Sequence, residues 1–280
     1  MQKLFNKILV PVDFTFSSKK AIDKAVEIAV EYNCTIEILH VTGQNMLVAD
    51  DASADTSSLL TFQEASGAAK KALEQFASID TNAHGQLQIE FSVLPGTWQQ
   101  SLVDFIEWKQ IDLMLIGQDD RLFQRKELLV NPNLIAGKTN IPVITVPTNR
   151  SLVDLYSIVI PVTDYLPVRK LIYGIYMATK HTSTVKLLGI ENDQTRSKVR
   201  YYLQRAFELI RDNCSLHVEL ETIESNNVAD AVSSYAITSA ADLVIVNPDL
   251  ESNIPGFLSG LLGNITNKSS APPVLTINTV

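Results

Sequence analysis

The apolar residues of this chain gather in short runs and in helical stripes that alternate along its length. Runs dominated by Val, Ile and Leu occur in KILVPVDFT (7–15), TIEILHV (35–41), DLMLIG (112–117) and PVITV (142–146). None of them leaves a polar alternate face, which predicts strands buried on both sides of a parallel sheet. Between the first two runs, SSKKAIDKAVEIAVEYN sets Ala21, Ile22, Ala25, Val26, Ala29 and Val30 along one stripe. Lys20, Lys24, Glu27 and Glu31 fall on the other side. That spacing predicts an amphipathic helix, with Thr15 or Ser17 placed to cap it. A second helical pattern, WQQSLVDFIEWKQ, leads into the run at Asp112. Trp98 and Trp108 both lie on it, and core packing accounts for them most simply.

The whole scheme then repeats. SIVIPVTDY (157–165) answers KILVPVDFT at an offset of 150, and TVKLLGI (184–190) answers TIEILHV at 149. DLVIVN (242–247) answers DLMLIG at 130, and PVLTI (273–277) answers PVITV at 131. Helical patterns again intervene, in RSKVRYYLQRAFELIRDN and VADAVSSYAITSA. The fall in offset places an extra segment in the first half. GQNMLVADDASADTSSLL, from Gly43, suits it, and its Asp, Ser and Ala content without a period predicts a surface loop over about 43–62. Each half reads βαβ…αβαβ, so the expected fold class is α/β: two tandem, doubly wound domains, 1–150 and 151–280, each with a five-stranded parallel sheet. Ligands of such sheets bind beyond the strand C-termini.

Composition narrows the partners. With 23 Lys and Arg against 31 Asp and Glu, the net charge is −8, and the deficit is shared by both halves. No basic excess is available to hold a phosphodiester backbone, which argues against nucleic acid. A phosphate site is a local arrangement, so small nucleotides stay open. The apolar run at the N-terminus is too short for a membrane span, and a cytoplasmic location is expected. Cys34 and Cys214 read as two reduced thiols, and the four His are too scattered to predict a metal site.

KILVPVDFT, the Gly-Thr-Trp before a helix, DLMLIG and IPVITVP, together with their second set, resemble the universal stress protein family in its tandem form. The resemblance implies an adenine-nucleotide alpha-hydrolase-like, Rossmann-like fold with the two halves packed as a pseudo-dimer, open to further homodimerisation. Contacts between the final strands, VITVP and VLTIN, are expected to supply that interface. It also implies a stress-response protein that binds a ligand and acts through a protein partner, with ATP or AMP as candidate ligand and no catalysis. In nucleotide-binding members an aspartate after the first strand contacts the adenosine part, and a glycine signature follows the fourth strand. Asp13 stands at the aspartate position, after Pro11 and Val12. Gly117 matches the first glycine. Counting onward, the second glycine position holds Asp120, and the closing pair falls on Val130 and Asn131. Arg121, Arg125 and Lys126 in between are available to offset charge. In the second half Thr163 replaces the aspartate, Asn247 the first glycine and Leu250 the second. Gly260 is in register but is followed by Leu261. Neither half carries the full signature, and the first is the better candidate.

His40 and Val41 close the second strand, which places a His ring at a strand C-terminus; its counterpart is Gly189. Two other function classes remain beside nucleotide binding. One is a purely structural or protein-interaction module, which the incomplete loops favour. The other is a nucleotide hydrolase or nucleotidyl transferase, which would need a metal-holding carboxylate and an intact phosphate loop. The chain has no GxGxxG after its first strand, no GxxxxGK[ST] and no GxSxG.

Overall fold

A computed structural model of the chain describes residues 3–42, 56–79, 87–118, 130–148, 150, 152–248 and 271–278, with the backbone alone over 56–65. The chain forms two compact units. One is Phe5–Asn131, and the other is residues 132–280 together with residues 1–4.

The first unit runs β1 (Lys7–Pro11), α1 (Phe16–Tyr32), β2 (Thr35–Thr42), α2 (Thr56–Ala77), β3 (Ile89–Pro95), α3 (Trp98–Lys109) and β4 (Leu113–Gln118). Its strands stand in the order β3-β2-β1-β4 and are parallel throughout. Ile8, Leu9, Val10, Ile36, Ile38, Leu39, Leu113, Met114 and Leu115 are fully buried, as two-sided burial requires. Residues 56–62, expected to be loop, belong to α2. The stretch EASGAAKKALEQ that follows is rich in good helix formers, and the helix extends from it back to Thr56. The rest of that expected loop, 43–55, lies outside the described residues.

The second unit begins with α4 (Pro132–Thr139) and β5 (Val143–Pro147). It continues through β6 (Ser157–Val162), α5 (Val168–His181), β7 (Thr184–Glu191), α6 (Arg196–Asn213), β8 (Val218–Glu224), α7 (Val228–Thr238), β9 (Leu243–Val246) and β10 (Val274–Thr276). Its strand order is β5-β10-β9-β6-β7-β8. The final strands do pair, with Val274 opposite Thr145, Leu275 opposite Ile144 and Thr276 opposite Val143. That ladder is antiparallel, while β10, β9, β6, β7 and β8 run parallel to one another, as expected. β5 is also grouped with the second unit, not with the half that precedes it. Both strands are short and wholly buried, so each must satisfy its backbone on a neighbouring ladder.

Sequence repeats become repeated contacts. Asp112 Oδ2 accepts the backbone N–H groups of Asn6 and Lys7 at 2.9 and 3.0 Å. Its counterpart, Asp242 Oδ2, accepts those of Tyr156 and Ser157, both at 3.0 Å. A carboxylate thus fastens the start of β1 to β4 in one unit and the start of β6 to β9 in the other.

Helix α1 is placed by a cap and by a close approach. Thr15 Oγ1 accepts the Ser18 N–H at 3.3 Å, so Thr15 is the cap. The first turn then lies directly on β4. A Cβ at Gly117 would come within 2.0 Å of the Ser17 carbonyl oxygen, so only glycine admits this packing.

Charge is buried on the sheet as well. Glu37 of β2 has a fully buried side chain, and Lys109 Nζ of α3 reaches both Glu37 (3.1 Å) and Glu90 of β3 (2.8 Å). Burial raises the Glu37 carboxyl above its ordinary value of 4.5, against the pull of Lys109. The Lys109 hydrogen bond lowers Glu90 and, reciprocally, Glu90 raises Lys109. Trp108, expected in the core, is 71% exposed, and the Lys109 ammonium lies 5.2 Å from its ring.

Two outcomes follow. Gly117→Ala should destabilise the first unit by about 2–3 kcal/mol, because backbone rather than a flexible side chain must yield; chemical denaturation measures it. A result within error of wild type would refute the close approach. Glu37, with its raised value, contributes stability that is present below pH 4.5 and lost as pH rises through its folded pKa. Removing the ammonium enlarges that loss. Lys109→Met should therefore cost about 2–3 kcal/mol at pH 7 and distinctly less near pH 4, while Glu37→Leu/Lys109→Met together should recover most of it.

Candidate functional site

The C-terminal ends of β1 and β2 carry the first unit's concentration of chemistry. β1 stops at Pro11, opposite Leu39, and Val12 extends the ladder by donating its N–H to the Leu39 carbonyl at 2.8 Å. His40 follows, with Nδ1 2.7 Å from the Val12 carbonyl oxygen. A carbonyl only accepts, so Nδ1 carries a proton there, and in the neutral ring Nε2 is left as an acceptor. The ring is held between two others. Phe14 is 4.7 Å away and tilted by 59°, and Trp98 is 5.7 Å away, edge to face at 78°. Phe14 also meets Phe76 of α2 at 5.3 Å.

Local backbone geometry builds this wall. Phe14 has φ 61°, a left-handed conformation that a bulky side chain rarely adopts. It reverses the chain after Asp13 and turns the ring toward His40. Trp98 opens α3 just after Gly96, whose φ of 129° only glycine takes readily. The Gly96 N–H donates to the Thr42 carbonyl at 3.0 Å, which fastens the end of β2 to the start of α3. Asp13 stands beside the ring cluster. Its Oδ1 accepts from Thr15 through N–H (3.2 Å) and Oγ1–H (2.6 Å). The second carboxylate oxygen takes no partner among the described residues, and the N-terminal dipole of α1 favours its charge.

Of the residues singled out from the sequence, the structure brings Pro11, Val12, Asp13, His40 and Val41 together at the ends of β1 and β2. Gly117 lies on β4, where the Ser17 backbone takes up the space its missing side chain leaves. Val130 and Asn131 are half-buried and lead into α4. Arg121, Arg125, Lys126 and Gly260 lie outside the described residues. Sequence reasoning missed Phe14 and Phe76 and assigned Trp98 to the core. An aromatic directly after the strand-end aspartate was the one available signal. Among the described residues, no group of three or more His, Cys, Asp and Glu is arranged to hold a metal, and no helix is long and apolar enough to cross a membrane. Cys34 and Cys214 are both free thiols.

The second unit carries a different set. Thr163 follows β6 and is buried, while Asp164 is exposed. Gly189 stands where β2 has His40, and a Cβ there would lie 3.2 Å from each of Val199, Leu203 and Thr222. A ring has no room at that position. Val228 opens α7 where Trp98 opens α3. Asn247 follows β9, buried, with Nδ2 3.5 Å from the Tyr165 hydroxyl.

Comparison with known proteins agrees with this architecture. A universal stress protein from Archaeoglobus fulgidus DSM 4304 superposes with a TM-score of 0.65 over 100% of both chains, at 12% identity. A functionally unknown protein from Pseudomonas aeruginosa PAO1 does so with a TM-score of 0.56 over 99% of this chain and 94% of that one, at 15% identity. The cytoplasmic domain of a prokaryotic cation chloride cotransporter reaches 0.51 over 98% and 96%, at 11% identity. At such identities the likeness is one of fold. No curated protein matches the sequence. The model of the universal stress protein family matches residues 4–147, more than half of the chain. A doubly wound α/β chain with that match belongs to the universal stress protein family.

Proposed function

We propose that the first unit binds an adenine nucleotide, ATP or AMP, beyond the ends of β1 and β2. We further propose that the chain works as a cytoplasmic stress-response protein through a protein partner, by binding and not by catalysis. The observation that carries this reading is the juxtaposition of Asp13 with a half-open aromatic wall of Phe14, His40 and Trp98. Ring edges and faces of this kind suit a planar heterocycle. The open oxygen of Asp13 is an acceptor suited to a ribose hydroxyl. A left-handed Phe14 adds to the case, because strain of about 1–3 kcal/mol persists only where surrounding structure holds it.

A second reading is a protein-interaction module without nucleotide. One observation favours it: Gly117, the first position of the family's phosphate signature, is already accounted for by the packing of α1 on β4. The remaining signature positions depart from glycine at Asp120 and Val130.

Calorimetry with ATP, ADP and AMP, each with and without magnesium, separates the two. Binding is expected, and Asp13→Ala should weaken it by about tenfold or more, the loss of one charge-assisted hydrogen bond. His40→Ala should weaken binding without lowering the melting temperature much. Absence of binding at millimolar nucleotide would sink the first reading and leave the interaction module. Turnover of bound ATP would instead refute the claim that the chain only binds.

A further inference from the structure

Repeated positions that differ between the units show which features the fold itself does not require. Helix α5 answers α1 at the offset of 149 that relates β7 to β2. Its inward face is kept: Leu171 matches Ile22, Gly174 matches Ala25 and Ala178 matches Ala29, all of them buried. Its outer flank is not kept. Lys19 and Asp23 of α1 form an i,i+4 ion pair at 3.3 Å. On α5 those positions hold Val168 and Ile172, 47% and 44% exposed. Leu209 of α6 is 38% exposed as well. Apolar residues in water are ordinary one at a time, whereas a set of them around a concavity marks a contact site.

Val168, Ile172 and Leu209 surround one cavity. It has a volume of about 590 Å³ and lies between α5 and α6, with Leu171 and Ile175 completing its apolar lining. Thr179, Asn213 and Cys214, from the C-terminal ends of the two helices, line it too. Each already donates to a helix carbonyl: Thr179 Oγ1 to Ile175 at 2.7 Å, Asn213 Nδ2 to Leu209 at 2.8 Å and Cys214 Sγ to Ile210 at 3.2 Å. The side-chain oxygens of Thr179 and Asn213 keep lone pairs to offer a guest. No charged side chain is among the described residues that line the cavity.

We propose that this cavity binds a single aliphatic chain with an uncharged head group, seated between α5 and α6. Its volume falls within the range of about 300–1,000 Å³ usual for small-molecule sites. A protein partner needs about 20–30 residues a side, far more than Val168, Ile172 and Leu209 supply. A charged head would find no counter-charge in the lining, whereas a hydroxyl finds the Thr179 and Asn213 oxygens. The first copy lacks the apolar rim, because Lys19 and Asp23 put charge where the chain would lie. The site shares no residue with the nucleotide site of the first unit and stands or falls apart from it.

Straight-chain alcohols from hexanol to decanol, titrated onto the full chain, test it. Calorimetry gives the affinity. Alkylation of the native protein by iodoacetamide, read by mass spectrometry, gives the place, because Cys214 lines the cavity and Cys34 is buried. The Kd is expected to fall about fourfold for each added methylene, the transfer of one buried CH2 group, while Cys214 becomes protected. Decanoate should bind more weakly than decanol, and equal affinity would overturn the uncharged head. Val168→Lys/Ile172→Asp installs the first copy's pair at two exposed positions. It should keep the melting temperature and weaken decanol binding by about tenfold or more, and Ile172→Asp alone should act in the same direction. No binding of decanol, binding that ignores chain length or leaves Cys214 unprotected, or full affinity in the folded variants would refute the site. A wild-type dimer in sedimentation that the double variant splits would assign the groove to a second copy of the chain and overturn the proposal too.

Discussion

A single carboxylate sets the register on which each unit depends. Asp112 precedes β4 and Asp242 precedes β9, and each accepts two consecutive backbone N–H groups at the start of the neighbouring strand, β1 or β6. Parallel strands need long crossovers and take no register from a tight turn, so a fixed point at the base of the sheet matters. Once β1 is fixed against β4, the other end of each strand is fixed too. The site is assembled from those far ends, in Val12, Asp13 and His40, by residues that are never sequence neighbours of the carboxylate that aligns them.

The two copies have spent their similarity unevenly. Bases and caps are nearly the same: the aspartate anchors, the left-handed C-caps Asn33 and Thr182, and the buried stripe of α1 and α5. The strand tips have diverged. The first unit puts rings and a carboxylate at the ends of β1 and β2; the second puts Lys170, Tyr165 and Asn247 at the ends of β6 and β9. Fold and site are thus under separate physical constraints within one chain, because burial fixes the strands while the tips face solvent or ligand.

The fold was legible because eight strands are continuous apolar runs, a pattern that two-sided burial produces and few other arrangements do. β3 and β8 were harder to read. IEFSVLP and VELETIE are half-exposed outer strands that mix Glu with apolar residues and carry no such run. Helix α2 was hidden because its start, TSSLLT, has the composition of a loop. At the site, Asp13 and His40 were visible as strand-end polar residues. Phe14 was not, because a positive φ leaves no trace in residue type unless glycine or asparagine supplies it. Lys170 was invisible for the opposite reason. In VRKLIYG a lysine near a helix start looks solvated, and only the packed structure shows it turned inward. Gly117 was read as the first glycine of a phosphate signature, whereas its missing side chain is what the Ser17 backbone requires.

The outer strands also bear on how the molecule behaves among its own copies. Among the described residues β3 pairs only with β2, and β8 only with β7, so each presents an outer row of main-chain groups. On β8 that row is studded with Glu219, Glu221 and Glu224, and Glu221 and Glu224 are exposed. A sheet edge bearing several like charges repels the same edge on another molecule and is a poor template for an added strand. Crowded copies of the protein are therefore discouraged from zipping together into fibrils at the rim where a parallel sheet is most vulnerable.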